Sequence, residues 1–314
     1  MRLFIQIPCF NEEHALPVAY EALPKKIKGI TRIDTVIIDD GSTDATVNVA
    51  ASLGIKHDVR LKKNQGLARA FVAGLDYCLR NGADIIVNTD ADNQYCADDI
   101  ELLVAPILAH KADMVIGARP IKNIEHFSFS KKILQGIGSW VVRLASQANV
   151  EDAPSGFRAF SRHAASQLNV FSRYTYTLET IIQAGHNGIA IESVPIRVND
   201  DLRPSRLVKS IPSYLRQSIL TIIRSMMAYN PFKFFVMPGV VSFAFGILIG
   251  IRFLYFYFTD GGEGHIQSLI LGSVLLGSGI FLVIIGLIAD LISVNRKILE
   301  QIDLRLRQIE SAKR

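Results

Sequence analysis

Along the first 200 residues, short apolar runs recur, and each stops at a polar or structure-breaking residue. Residues 3–7 stop at Pro8, 35–38 at Asp39-Asp40-Gly41, 84–88 just before Asp90, 114–116 at Gly117 and 189–194 at Pro195. Between them, 44–53 and 66–80 carry helical periodicity. Strands alternating with helices predict an open, mostly parallel α/β sheet. Ligands of such sheets bind beyond the carboxyl ends of the strands. Three polar clusters fall there: Asn11-Glu12-Glu13, Asp39-Asp40 and Asp90-Ala91-Asp92-Asn93-Gln94.

The pattern changes after residue 206. Within 207–229, Leu215, Ile219, Ile222, Ile223 and Met226 recur at helical spacing, with Arg216 and Arg224 off the stripe. This predicts an amphipathic helix lying in a membrane interface, or else a surface helix packed on the globular region. Two apolar stretches follow, at about 234–258 and 268–289, each long enough for a helix of roughly 33 Å that crosses a bilayer core. From 236 to 289 the only charged residues are Arg252, Asp260 and Glu263. The connector 259–267 holds two acids and no Lys or Arg, whereas the opposite flanks carry Arg216, Arg224, Lys233, Arg296, Lys297, Arg305 and Arg307. The positive-inside rule then puts both termini in the cytoplasm. Arg252 sits near the outer end, where it can snorkel to the interface. A buried hairpin in a soluble core is the alternative. Gly246 with Gly250, and Ser273 with Gly277, are small pairs four apart that would let helices approach closely. Residues 291–314 read as a charged helical tail.

Composition narrows the class. The chain has 314 residues, 49% apolar and 20% charged, with mean hydropathy +0.27. That excludes a disordered chain, a disulfide scaffold and a simple soluble enzyme. Three cysteines (Cys9, Cys78, Cys96) without metal-ligand spacing fit a reduced, cytosolic setting. The net charge of +5 gathers around the apolar segments, so it suits a membrane surface better than nucleic acid. The opening apolar run is too short to read as a signal peptide. The seven histidines form no cluster along the chain.

The candidate chemistry lies in the acidic strand ends. After the second strand, Ser42, Thr43 or Asp44 can cap a helix, but capping alone leaves Asp39 and Asp40 unexplained. Carboxylates there can hold ribose hydroxyls or a base edge. In 90–94, an extended arrangement would point Asp90, Asp92 and Gln94 the same way. Oxygen-only ligands suit Mg²⁺ or Mn²⁺, which typically take few protein carboxylates plus substrate phosphates. The phosphate-cradling GxxxxGK[ST] loop is absent.

The segments IPCFNEE, IIDDGSTD, NQGLARAFVAGL, NTDADNQ, IGARP and DAPSGFRAF together resemble the GT-A glycosyltransferases of family 2. More narrowly, they resemble the polyprenyl-phosphate branch, with its dolichol-phosphate mannose synthases and bactoprenol glucosyltransferases. The resemblance implies a Rossmann-like GT-A domain, transfer from a nucleoside-diphosphate sugar to a polyprenyl phosphate, and Mg²⁺ or Mn²⁺ as cofactor. It implies that Pro8, Phe10, Glu12 and Asp40 contact the nucleotide, with Asp39 supporting them. Phe10 stands where many members have Tyr. Asp90 would lie at the donor, with Asp92 and Gln94 as metal ligands. Arg119 and Lys131 would hold the acceptor phosphate, although Gln135 replaces a common Ser near Lys131. Asp152, Ser155 and Arg158 match the acceptor loop, and Glu179 matches an acidic helix residue near the site. Arg203 and Arg206, in Arg-Pro-Ser-Arg, resemble a segment that holds the donor diphosphate, where many members have Gly-x-Ser-Lys.

The expected division is a GT-A domain over 1–206, an interfacial helix over 207–231, two membrane helices within 232–290, and a cytoplasmic helical tail over 291–314. The acceptor phosphate is already an anion near neutral pH, so no protein base is required, and direct displacement inverts the anomeric carbon. A processive polysaccharide synthase is a rival, but the only tryptophan, Trp140, does not match its QxxRW motif. A catalytically inactive scaffold that binds nucleotide sugar or lipid is a second rival. No nucleic acid partner is expected, and a homo-oligomer is open.

Overall fold

A computed structural model describes residues 1–120, 142–143, 146, 148–170, 176–199, 211–261 and 266–312. The chain divides into two compact units, 1–222 with 304–314, and 223–303.

The first unit is built on a seven-stranded sheet. Its strands are β1 (Arg2–Cys9), β2 (Arg32–Asp39), β3 (His57–Arg60), β4 (Ile85–Asn88), β5 (Met114–Ala118), β6 (Arg158–Ser161) and β7 (Ile191–Pro195). Their order is β3-β2-β1-β4-β6-β5-β7. β6 runs antiparallel to both β4 and β5, and the other pairings are parallel. The mostly parallel α/β sheet is therefore as expected. Two strands escaped the apolar pattern. β3 alternates half-buried and exposed residues at the sheet edge, and β6 opens on a buried arginine.

The helices are α1 (Ala15–Glu21), α2 (Thr46–Ser52), α3 (Leu67–Arg80), α4 (Ile100–Leu108), α5 (Arg162–Gln167) and α6 (Thr177–His186). In α3, Ala68, Phe71, Leu75, Cys78 and Leu79 are buried at helical spacing, so one face packs on the sheet. Burying a side chain such as Phe71 contributes about 1.5–3 kcal/mol. The parallel strands all end on one edge of the sheet, and antiparallel β6 begins there.

Then come α7 (Ile211–Tyr229), α8 (Pro231–Asp260) and α9 (Ile266–Ala312). Along α7, Ile219, Leu220, Ile223 and Met227 are exposed. Helices α8 and α9 contain the two apolar spans, Pro231–Thr259 and Ile266–Arg296. Only 11% and 17% of the most apolar windows is buried, so they are not core helices of a soluble fold. Their length and exposed apolar surface are those of a membrane hairpin. The expected tail continues α9 without a break as far as Ala312.

The expected small pairs fit at one of their four positions. Gly246 packs on Leu276, where a methyl group would come within 2.8 Å, but Gly250 and Gly277 meet nothing within 4 Å. The close approach instead involves Gly239 against Gly279 and Gly286 against Val236, at 2.9 and 2.6 Å on the same measure. Ser242 donates to the Leu275 carbonyl across the same seam, at 3.0 Å. Positions 239 and 246, like 279 and 286, are seven residues apart. A seven-residue repeat keeps one seam facing a partner helix over two turns, which a four-residue pair does not.

Candidate active site

Two groups of predicted residues meet at the strand-end edge. The first surrounds the ends of β1 and β2. Pro8 is the next-to-last residue of β1, and Phe10 just beyond the strand is 39% exposed. Asn11 adopts a left-handed φ of 57°, which turns the chain sharply. Its Oδ1 accepts from Thr43 N–H (2.8 Å), and its N–H donates to Ser42 Oγ (2.9 Å). Glu12 N–H donates to Thr46 Oγ1 (2.8 Å), and Ala45 N–H to Glu13 Oε2 (2.9 Å). The two segments are thus stitched reciprocally. The Glu12 side chain is only 8% exposed.

Local turn bonding explains more of the acidic pair than the sequence suggested. Asp39 Oδ1 accepts from Ser42 N–H in its own turn, at 3.0 Å. Asp40 accepts from Gln65 and Gly66 N–H, at 2.7 and 2.8 Å, just ahead of α3. The helix N-terminus favours that negative charge. Burial nevertheless dominates and raises the Asp40 pKa, with Asp39 adding to the rise and the two backbone donors opposing it.

The carboxylate loop follows β4. Its extended alternation is not what forms: residues 91–92 turn, and Asn93 has φ 57°. Asp92 Oδ1 accepts Gln94 N–H at 3.1 Å, closing a local turn. The expectation that Asp90, Asp92 and Gln94 point one way from an extended chain is corrected accordingly. Asp90 is pushed up to about 7, first by burial and then by the Asp92 charge, with Glu12 adding to the rise and Arg119 opposing it. Among the described residues no three His, Cys, Asp or Glu side chains form a metal cage. Mg²⁺ and Mn²⁺ need none when substrate phosphates complete the shell. Asp90 and Asp92, crowded together with Glu12 near enough to add to the rise, fit such a cation.

The second group lies around β5, β6 and α6. Arg119, just past β5, pairs bidentately with Asp152: Nε to Oδ2 at 2.7 Å and Nη2 to Oδ1 at 3.1 Å. Asp152 is fully buried, and the Arg119 side chain is 11% exposed. Ser155 is fully buried, and its Oγ has no hydrogen-bond partner among the described residues. Arg158 is also fully buried, and it donates to the carbonyls of Ala153, Ser155 and Thr177 and to Thr180 Oγ1, at 2.7–2.8 Å. Burial lowers its pKa to about 10, so it stays charged at neutral pH. This is a scaffold residue that winds the loop 152–158 around itself and not a surface cation, so its expected direct contact with acceptor is corrected. Glu179 lies in the first turn of α6, beside the residues that receive Arg158, and is 6% exposed. Lys131, Gln135, Arg203 and Arg206 lie outside the described residues.

Sequence reasoning missed the residues that join the two loops. Asn88 accepts from Gln6 Nε2 at 2.9 Å and donates to the Gly156 carbonyl at 2.9 Å. Tyr95 and Tyr176 also bond Gly156. A signal existed: Gln6 and Asn88 are polar residues inside otherwise apolar strands, and a buried polar residue requires a partner.

The family model described as glycosyl transferase family 2 matches residues 4–168. The chain belongs to glycosyl transferase family 2. Among curated proteins, this family 2 enzyme is 30% identical over 221 residues to the UDP-N-acetylglucosamine–dolichyl-phosphate N-acetylglucosaminyltransferase of Methanococcus voltae, covering 62% of this chain and 84% of that one. It is 26% identical over 272 residues to the dolichol-phosphate mannosyltransferase of Pyrococcus furiosus, covering 83% and 74%. The expected family and branch are thereby borne out. A crystal structure of glucosyl-3-phosphoglycerate synthase from Mycobacterium tuberculosis, in complex with Mn²⁺, uridine-diphosphate and phosphoglyceric acid, aligns with TM-score 0.57 at 19% identity. It covers 71% of this family 2 chain and 78% of its own, and it supports the GT-A fold alone.

Proposed function

We propose that this family 2 glycosyltransferase moves a sugar from a nucleoside-diphosphate sugar to a polyprenyl phosphate, undecaprenyl or dolichyl, at the cytoplasmic membrane face. The observation that carries the reading is the meeting of the carboxylate loop and the acceptor loop on one sheet edge. A methyl group at Gly156 would lie only 3.1 Å from an Asp90 carboxylate oxygen. Curated relatives named for dolichyl-phosphate acceptors support the choice of acceptor.

In this reading Phe10 stacks on the base, and Glu12, Asp39 and Asp40 shape its pocket with Pro8. Asp92 and Gln94 hold Mg²⁺ or Mn²⁺, with Asp90 beside them. That cation, when bound, supplies positive charge opposite the departing diphosphate. Arg203 and Arg206 hold the same diphosphate. Arg119, fixed by Asp152, and Lys131 orient the acceptor phosphate, with Ser155 in the loop behind it and Glu179 on the neighbouring helix. The phosphate monoester, whose second pKa is about 6, is anionic and attacks without a protein base. Displacement from the far side inverts the anomeric carbon. The exposed apolar stripe of α7 suits a helix in the cytoplasmic interface, and the basic flanks of α8 and α9 suit cytoplasmic termini. The domain division stated from the sequence is retained on these grounds.

The test uses purified full-length protein in detergent with Mg²⁺ or Mn²⁺, undecaprenyl or dolichyl phosphate, and labelled UDP- and GDP-sugars. Metal-dependent entry of label into organic solvent is expected. Label in an insoluble polymer would overturn the reading in favour of a synthase. Nucleotide binding without transfer from any donor would favour the inactive scaffold.

A further inference from the structure

We propose that Asn88, Tyr95 and Tyr176 are positioning residues that clasp the acceptor loop to the carboxylate loop through Gly156, so that cation binding and acceptor binding are coupled. The proposal rests on the reading above and deepens it.

Three hydrogen bonds converge on Gly156, and a fourth joins two of its partners. Gly156 N–H donates to the Tyr95 hydroxyl at 3.0 Å. The Gly156 carbonyl accepts from Asn88 Nδ2 at 2.9 Å and from the Tyr176 hydroxyl at 3.2 Å. Asn88 Nδ2 also donates to the Tyr176 oxygen at 2.8 Å. Space for a side chain is missing, because a Cβ at Gly156 would lie 3.1 Å from both an Asp90 carboxylate oxygen and the Tyr176 hydroxyl.

The clasp is buried and stiff. Asn88 and Tyr176 are fully buried, and Tyr95 is 5% exposed. Tyr95 stacks on Phe157, centroids 5.0 Å apart at 9°, and Tyr176 stacks on Phe71 at 3.8 Å and 4°. Each ring is therefore held independently of its hydroxyl. Asn88 precedes Asp90 by two residues, and Tyr95 follows Gln94 directly. The carboxylate segment is thus anchored at both ends to the same residue of the acceptor loop. A shift of either loop must pass through hydrogen bonds that have no water to replace them.

Wild type, Tyr95→Phe and Tyr176→Phe, all full-length in detergent, would be compared by three readouts. Mn²⁺ affinity with saturating UDP or GDP is read by electron paramagnetic resonance, with and without undecaprenyl phosphate. The acceptor and donor KM values and the Tm complete the set. In wild type the lipid should tighten Mn²⁺ binding. Loss of one neutral hydrogen bond should weaken Mn²⁺ binding and raise the acceptor KM together, by roughly two- to tenfold. The donor KM should stay within about twofold, and the retained ring stacks should limit the fall in Tm from the lost buried hydrogen bond to a few degrees. Movement of one quantity without the other, a fall in Tm alone, or no Mn²⁺ binding by wild type would overturn the proposal. Absence of transfer from every donor would instead defeat the functional reading, because the Mn²⁺ titrations with and without lipid still decide the coupling.

Discussion

The two halves of the strand-end edge are built on different principles. Around β1 and β2, neighbouring turns exchange backbone donors for short side-chain acceptors, as Asn11 does with Thr43 and Asp40 with Gln65 and Gly66. Around β4, β6 and α6, long buried side chains reach across the fold, as Arg158 does to Thr180 and Asn88 to Tyr176. Turn stitching is a sum of small local terms, each worth about 1 kcal/mol. The buried network is all-or-none, because removing one member leaves desolvated groups without partners. The half assembled from turns tolerates change residue by residue, whereas the half around β4, β6 and α6 does not.

The harshest test of that contrast is Arg158→Met, which removes a buried cation that donates to three carbonyls and the Thr180 hydroxyl. A loss of roughly 3–5 kcal/mol is expected, comparable to breaking a buried charge network, read as a fall in Tm of about 10 °C. A fall of only a degree or two would show that the buried network is no more cooperative than the stitched turns. Asp92→Ala separates chemistry from stability. Transferase activity should fall about 100-fold or more, in the range of losing one preorganised electrostatic group, while Tm stays nearly unchanged. Chelation of wild type should reproduce the loss, and added Mn²⁺ should reverse it. In the turns around β1 and β2, Asn11→Ala should cost about 1–2 kcal/mol, since it removes one side-chain acceptor and favours a right-handed φ. Denaturation of this variant should show a modest shift with KM for donor raised and KM for acceptor unmoved.

The smallest effect concerns pH at the far end of β2. Burial tends to raise the Asp34 pKa, but hydrogen bonds and charge from Arg2 and Arg32 outweigh it, leaving the pKa below the usual carboxylate value. A depressed carboxylate pKa stabilises the fold above the unfolded value, and the gain disappears as pH falls through the folded one. Wild type should therefore lose slightly more stability than Asp34→Asn as pH drops below about 4, by within about 1 kcal/mol. Identical acid profiles would remove Asp34 from the account.

The same contrast governs what could be read without coordinates. Five strands announced themselves as apolar runs with polar ends. β3 did not, because His57-Asp58-Val59-Arg60 sits half-exposed at an edge, and β6 did not, because Arg158 disguises a buried strand as a surface segment. The acidic clusters at the ends of β2 and β4 were legible because their residues are consecutive. Their geometry was not, since the left-handed turn at Asn93 overrides strand alternation. Gly156 and its partners, 61 and 68 residues away at Tyr95 and Asn88, leave no local pattern at all. A polar residue inside an apolar strand says that a partner exists without saying where.

The glycine seam of the membrane hairpin carries a consequence for how such a chain can drift over generations. Gly239 and Gly246 face the second helix, while Gly250 and Gly277 face nothing within 4 Å. Outward positions can therefore change letter after letter at little cost. A one-residue insertion or deletion between Gly279 and Gly286 is another matter. It would swing everything beyond it by about 100° around the helix axis, turning bulky side chains into the seam. Length, more than spelling, is what the hairpin must inherit intact.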